Sequence, residues 1–401
     1  MLKNNQQGIY ILHKKDTDSL TWADVCGYIK AHIDLDFIII CLGDDRYSYF
    51  NETYRVEQAL EFSATRRIDL VIGGFSWFKQ AVLVHENFFW CDDFMGFDFL
   101  IIRKTLYKKI LNEVFDDKHI DSKLSSLTSN KVLIRPFLTS KSSQIFNIDR
   151  PTLNNQRGFQ LILENLASIR TYFHSLPLPA LEEIVDDFEA LSIPTYVINL
   201  KKRVDRLEHL KNEFKNRSEF DLRIIEACSH KIGAVGLWNS IRKIIELASA
   251  NGEEVIIICE DDHIFTEHYS KQTLLEYLIR CHVDGVELLC GGIGDFVNAV
   301  PRDENRFWID NFISTQFLVI YQSLFEKILN EPFDESVTAD GMFSKITWNK
   351  MVCFPFISVQ KEFGYSDATL YYNQDNEAVE LCFRSATEKF KKVQSVISRF
   401  K

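Results

Sequence analysis

Short runs of β-branched and apolar residues alternate along the chain with longer stretches in which apolar positions recur every three or four residues. Runs of the first kind predict strands buried on both faces, and the second kind predicts amphipathic helices packed upon them. Residues 8–12 and 37–41 read as the first two strands, with a helix over 21–32 between them. Later, residues 195–200, 222–227, 255–259 and 286–290 read as strands, and 233–250 and 271–280 as helices. Strands alternating with helices predict an α/β fold with mainly parallel sheets and right-handed crossovers.

The pattern occurs twice. A shift of 218 positions carries Ile38-Ile39-Ile40-Cys41 onto Ile256-Ile257-Ile258-Cys259, Gly73-Gly74 onto Gly291-Gly292, and Phe89-Trp90 onto Phe307-Trp308. The same shift carries Asp92 onto Asp310 and Lys109-Ile110-Leu111-Asn112-Glu113 onto Lys327-Ile328-Leu329-Asn330-Glu331. Roughly a third of the positions are identical over about eighty residues, a repeat the size of a domain rather than of a solenoid unit. One added residue later, Asp121 pairs with Asp340 and Pro136-Phe137 with Pro355-Phe356. The expected organisation is a first domain over 1–150, a helical connector over 151–192, a second domain over 193–385 and a C-terminal amphipathic helix over 386–401. The connector reads as two helices broken at Leu176-Pro177-Leu178-Pro179. In the last helix Phe390, Val393, Val396, Ile397 and Phe400 stand among Lys and Arg, which suits docking on its own domain or a peripheral membrane contact.

Composition narrows the class. Hydrophobic residues make up 46% of the 401 residues, with 32 Phe, enough for packed cores. The formal net charge of -11 argues against a broad nucleic-acid surface. Of nine cysteines, Cys41, Cys259, Cys290 and Cys353 sit in or beside apolar strand-like runs, a pattern of reduced thiols that predicts a cytoplasmic protein. No apolar run approaches membrane-spanning length.

The chemistry centres on Val255-Ile256-Ile257-Ile258-Cys259-Glu260-Asp261-Asp262, a buried strand ending in three carboxylates. Open α/β sheets place ligands at the carboxyl ends of their strands. Three adjacent acids repel, and a hard divalent cation that also grips a diphosphate would offset them; a solvated turn is the plainer alternative. The first copy has Leu42-Gly43-Asp44 at these positions, so two of the three acids are gone, and it starts too close to its second strand to hold a stretch matching residues 203–228. Asn199, Arg203 and Arg206 follow a strand end, where arginine forks suit phosphate oxygens, although a charged first helical turn looks the same. Asp340 suits either a general base or a helix N-cap. Trp308 and Asp310 suit sugar stacking and hydroxyl binding, yet both recur as Trp90 and Asp92, which favours a structural role. Gly291-Gly292 suits close backbone approach. His263 is an extra ligand or, on the favoured reading, a bystander.

The combination of Val197-Ile198-Asn199-Leu200-Lys201-Lys202-Arg203-Val204-Asp205-Arg206, the glycine at 233, Cys259-Glu260-Asp261-Asp262, Pro355-Phe356-Ile357-Ser358-Val359-Gln360 and Ser366-Asp367 resembles glycosyltransferase family 25. The resemblance spans residues 194–370 and implies a GT-A fold for the second copy; with the internal repeat, the expectation is two tandem GT-A-like, Rossmann-related domains, the first degenerate and the second catalytic. It implies a metal-dependent hexosyltransferase with Mn2+ or Mg2+ at a DxD-like motif, a UDP-sugar donor with galactose or glucose the leading candidates, and a glycan or peptide acceptor, as in lipopolysaccharide biosynthesis. On the chemistry of the residues, Glu260 and Asp262 are then the expected metal ligands, Asn199, Leu200, Arg203, Arg206 and Asp261 the donor-binding residues, and Trp308, Asp310, Gly291 and Gly292 the acceptor-binding residues. Asp340 is then the base of an inverting transfer. One departure stands out: the family's Ser-His pair is missing from Gly233-Ala234-Val235-Gly236-Leu237-Trp238, while Ser229-His230 lies upstream. The rival readings are a non-catalytic sugar-binding or scaffold protein and a nucleotidyltransferase, the latter weakened by the lack of a glycine- and lysine-rich phosphate loop.

Overall fold

The computed structural model describes residues 11–14, 20–42, 53–114, 120–138, 152–177, 191–333, 335–363 and 377–401. It divides into two compact units, Met1–Ile169 with Ser395–Lys401, and Arg170–Gln394. The division falls inside the long helix Thr152–Ser175, which occupies the first part of the expected connector over 151–192. The second connector helix expected over 180–191 falls largely on residues 178–190, outside the described residues. The C-terminal helix starts at Ala378, eight residues ahead of the expected 386.

The first unit is built on strands β1 (Ile11–Lys14), β2 (Phe37–Leu42), β3 (Leu70–Gly74), β4 (Trp77–Phe78), β5 (Ala81–His85), β6 (Phe88–Cys91), β7 (Phe94–Met95), β8 (Phe99–Arg103) and β9 (Lys131–Ile134). Seven of them form one sheet in the order β1-β2-β8-β3-β9-β6-β5. The second unit contributes β10 (Ile193–Asn199), β11 (Phe220–Glu226), β12 (Val255–Glu260), β13 (His263–Phe265), β14 (Leu288–Cys290), β15 (Ala299–Pro301), β16 (Arg306–Ile309), β17 (Phe317–Tyr321), β18 (Lys350–Cys353) and β19 (Ser358–Gln360). Its main sheet runs β11-β10-β12-β17-β14-β18-β16-β15.

The two orders are the same once β11 is set aside, and the repeat extends to the ladders. Ile38 faces Ile102 in the first sheet as Ile256 faces Ile320 in the second, each pair displaced by the sequence shift. Leu70 faces Lys131 as Leu288 faces Lys350. Side chains repeat too: Trp90 Nε1 donates to Ser129 O and Trp308 Nε1 to Trp348 O, while Lys131 and Lys350 each donate from Nζ to two carbonyls of the preceding helix and turn. Among the described residues the first unit shows no counterpart of β11 or of the helix before it, Val204–Glu213, in line with its short opening.

Both sheets are mixed rather than mainly parallel. In the second, β10 pairs parallel with β11 and β12, and β14 with β18, but β17 lies antiparallel between β12 and β14. After β14 the chain turns back through the β15–β16 hairpin and re-enters the sheet from its far end, so no crossover helix is needed. Apolar periodicity reports burial and is blind to strand direction.

Ile256, Ile257, Ile258 and Cys259 of β12 are essentially inaccessible, and the helix Gly233–Ala250 buries Trp238, Ile241, Ile244 and Ile245. A charged cluster is also buried: Asp284, at the C-terminus of the helix Lys271–Val283, pairs with Arg302 at 2.9 Å and Arg306 at 2.8 Å. Within the second unit, Phe383, Phe390 and Val393 of the C-terminal helix are buried, with the Phe390 ring 4.1 Å from Phe296 and 5.0 Å from Phe354. The apolar face that a membrane contact would use is therefore taken up by the core at these positions. Among the described residues, no helix is long and apolar enough to cross a membrane.

Candidate functional site

A cavity of about 410 Å³ opens in the second unit at the carboxyl ends of β10 and β12. Its walls include Leu200, Lys202, Arg206, the 227–231 turn, the start of the helix Gly233–Ala250, all three acids, residues 313–315, Asp340 and residues 360–363. The volume lies within the range of ordinary small-ligand sites. Gly236 shapes one wall, because a Cβ there would come within 2.5 Å of Cys228 O, so only glycine lets the turn cross the helix this closely.

The three acids differ in their bonding. Asp261 is held by Asn199 Nδ2 at 2.7 Å and Arg206 at 3.0 Å. Asp262 is buried and accepts through Oδ2 from Gln360 Nε2 at 2.9 Å and Arg206 at 3.3 Å, while its buried Oδ1 has no hydrogen-bond partner. Glu260 is only partly buried and accepts through Oε1 from Thr315 Oγ1 at 2.6 Å. Burial and then the Asp262 charge push the Glu260 carboxyl up to about 8; burial and then Asp261 push Asp262 up to about 6, although Arg206 and Gln360 pull the other way. One guanidinium thus leaves three clustered carboxylates short of positive charge.

These residues can be tested against a metal. Among the described residues no three His, Cys, Asp or Glu groups gather so as to hold a metal ion by themselves. The orphaned Asp262 oxygen and the half-used Glu260 carboxylate instead fit an open site, in which one or two carboxylates hold a hard cation and ligand phosphates and water complete its shell.

Comparison of the two units marks the same spot. Glu260 and Thr315 correspond to Leu42 and Phe97, both buried apolar residues in the first unit. A polar pair has replaced an apolar pair at this cavity, although the surrounding ladders are unchanged. Gly43 and Asp44, which match Asp261 and Asp262, lie outside the described residues, as do Ser366 and Asp367.

The structure gathers Leu200, Arg206, Glu260, Asp261, Asp262 and Asp340 at the cavity and places Asn199 directly behind Asp261. It corrects several roles. Arg206 is not an unengaged phosphate fork: its NH1 bridges Asp261 and Asp262, and its guanidinium lies 4.9 Å from the Phe363 ring centre. Arg203 stands at the N-cap of the next helix, and its side chain is not part of the cavity wall. Asp340 holds loops together, accepting from Ser314 N at 3.0 Å and Gly341 N at 2.8 Å. Asp121 does the same for Gly96 N at 2.5 Å, so this bonding belongs to the fold and does not mark a base.

None of the four acceptor-site residues lines the cavity. Trp308 is buried and bonded to Trp348 O; Asp310 holds the backbone and side-chain amides of Asn298. Gly291 and Gly292 serve close packing, since their Cβ atoms would lie 2.7 Å from Phe317 and 1.9 Å from Ser358 O. His263 is fully buried among Phe214, Phe265 and Phe317, bonds Ser358 Oγ at 2.7 Å, and is pushed down to about 3 chiefly by burial. Residues missed in the sequence are Thr315, Gln360, Lys361, Phe363 and Ser314; for Thr315 and Ser314 the signal was their mismatch with Phe97 and Gly96.

No protein-family model matches the chain, and no curated protein matches it. Among solved structures it is similar to A197 from STIV at 12% identity and a TM-score of 0.28, over 40% of this chain and 81% of that one. It is also similar to apo-UDP-glucose pyrophosphorylase at 10% identity and a TM-score of 0.27, over 56% of this chain and 87% of that one. Likeness at these scores carries no assignment; the chain's fold is mixed α/β with parallel pairs in mixed sheets.

Proposed function

We propose that the second unit is a metal-dependent glycosyltransferase that takes a hexosyl group from a UDP-sugar to a glycan or peptide acceptor, with the first unit a degenerate copy of its fold. The observation that supports this most is the acid cluster at the strand-end cavity, short of positive charge and polar where the first unit is apolar. Glu260 and Asp262 would hold Mn2+ or Mg2+, and the cation would supply charge neutralisation to the departing diphosphate.

The chain's own residues do the positioning. Arg206 and Asn199 fix Asp261 and one oxygen of Asp262, so that Asp262 Oδ1 is left for the cation. Gln360 donates to the same Asp262 oxygen, and Thr315 donates to Glu260. Lys202, Lys231 and Lys361 on the wall offer positive charge to the phosphates. Asp340, with both oxygens engaged, is assigned here to holding the 313–315 loop rather than to proton transfer.

Incubation of the full-length chain with UDP-glucose and with UDP-galactose, with and without Mn2+, tests the reading through release of UDP. Metal-dependent UDP release supports it. Release of pyrophosphate from UTP and a sugar 1-phosphate, without UDP release, would favour nucleotidyl transfer instead.

A further inference from the structure

The two units differ reciprocally at one place beside the cavity. Ser76 of the first corresponds to Gly294 of the second, and Gly96 of the first to Ser314 of the second. The backbone is the same in both: Ser76 N donates to Met95 O at 3.0 Å as Gly294 N donates to Ile313 O at 2.8 Å. Gly96 N and Ser314 N donate to the equivalent carboxylates Asp121 and Asp340. The φ angles are +67° at Gly96 and +86° at Ser314, in the left-handed region that glycine adopts freely and serine does not.

The first unit thus follows backbone preference, and the second inverts it. Packing accounts for only half of the inversion. A Cβ on Gly294 would fall 3.3 Å from Ser314 Oγ and 3.4 Å from Cys382 Cβ of the C-terminal helix, which favours glycine there, but crowding at 294 does not call for a side chain at the left-handed position 314. What changes is where the hydroxyl points. Ser76 Oγ is turned to Met95 O at 3.2 Å. Ser314 lines the cavity, and the partner its Oγ is given is Gln360 Oε1 at a long 3.4 Å. Its neighbours on that wall are Thr315, which holds Glu260, and Gln360, which holds Asp262. Strained backbone that the fold does not require is found preferentially at sites of function.

We propose that Ser314 is a sugar-contacting residue, whose hydroxyl is held at the cavity wall by a strained backbone to hydrogen-bond a hydroxyl of the transferred hexose. This rests on the glycosyltransferase reading and adds a residue to it. The Asp340 carboxylate, bonded to Ser314 N, makes the spot unfavourable for phosphate and favourable for sugar hydroxyls, which can donate to a carboxylate.

Full-length Ser314→Gly and Ser314→Ala test it together, since both lose the hydroxyl but only glycine relieves the strain. Both variants are expected to bind UDP with Mn2+ within twofold of wild type. Both are expected to lose tenfold or more in kcat/KM for release of UDP from UDP-glucose or UDP-galactose, and to change the preference between the two sugars. Ser314→Gly is expected to melt at or above the wild-type temperature and Ser314→Ala at or below it. Wild-type turnover and preference in Ser314→Gly would overturn the proposal and leave Ser314 as filling. Equal losses of UDP binding and turnover would overturn it too, because the contact would then be to the diphosphate or its metal. Failure of the wild-type chain to bind or turn over any of these nucleotides would overturn the glycosyltransferase reading itself, a result distinct from the other two.

Discussion

Replacing Glu260 by Gln removes a carboxyl whose ionisation the fold opposes. The carboxyl is pushed from its ordinary 4.5 up to about 8 by burial and by Asp262. Because the folded value lies above the unfolded one, stability is unaffected below about pH 4.5 and falls as pH rises toward 8, as the unfolded chain gives up its proton first. At pH 7 the gap of about 2.5 pH units amounts to an upper bound of about 3 kcal/mol. Water at the cavity wall and the shared charge of Asp262 reduce this to about 2 kcal/mol. Gln is close in shape and still offers an oxygen to Thr315, so the variant should gain about 4–8 °C in melting temperature for a unit of this size. The assay is thermal unfolding of wild type and variant in EDTA at pH 5 and pH 7. The gain should be large at pH 7 and about a quarter of that at pH 5. A variant less stable than wild type at pH 7, or a gain equal at the two pH values, would refute the claim that the acids are short of positive charge.

Other substitutions separate fold from chemistry. Trp308→Phe should cost about 1–2 kcal/mol through the lost bond to Trp348 O, yet leave UDP binding unchanged in a titration. Asp284→Ala should cost about 3–5 kcal/mol in denaturant unfolding, because Arg302 and Arg306 would be left buried without their shared carboxylate. Added Mn2+ should raise the wild-type melting temperature more at pH 8 than at pH 5.5, since binding needs Glu260 and Asp262 deprotonated, and Asp262→Asn should show little of this shift.

Much of the scaffold was legible in the residues. The shift that aligns Ile38 with Ile256 also aligns the ladders, because the same inward-facing side chains fix the same register. The acid triplet was placed correctly at a strand end, because a β-branched run that gives way to charges marks the end of a buried strand. Strand direction was not legible: β17 looks like any buried strand, and only the return path through β15 and β16 makes it antiparallel. Trp308 and Asp310 misled for a related reason. An indole and a carboxylate suit a sugar equally well in an open cleft or a closed core, and burial decides between them. The engagement of Arg206 with Asp261 and Asp262 joins residues more than fifty positions apart, beyond the reach of local pattern. Leu42 and Phe97 against Glu260 and Thr315 were a usable signal, visible as a mismatch in an otherwise close repeat.

The central claim is that the acids at the end of β12 hold a cation that in turn holds a nucleoside diphosphate. Calorimetric titration of UDP into the full-length chain, with Mn2+ and with EDTA, on wild type and Asp262→Asn, tests it most directly. The account predicts binding by wild type that requires Mn2+ and is lost in Asp262→Asn, while the variant keeps its fold by circular dichroism. Binding equally strong in EDTA, or retained in the folded variant, would contradict it.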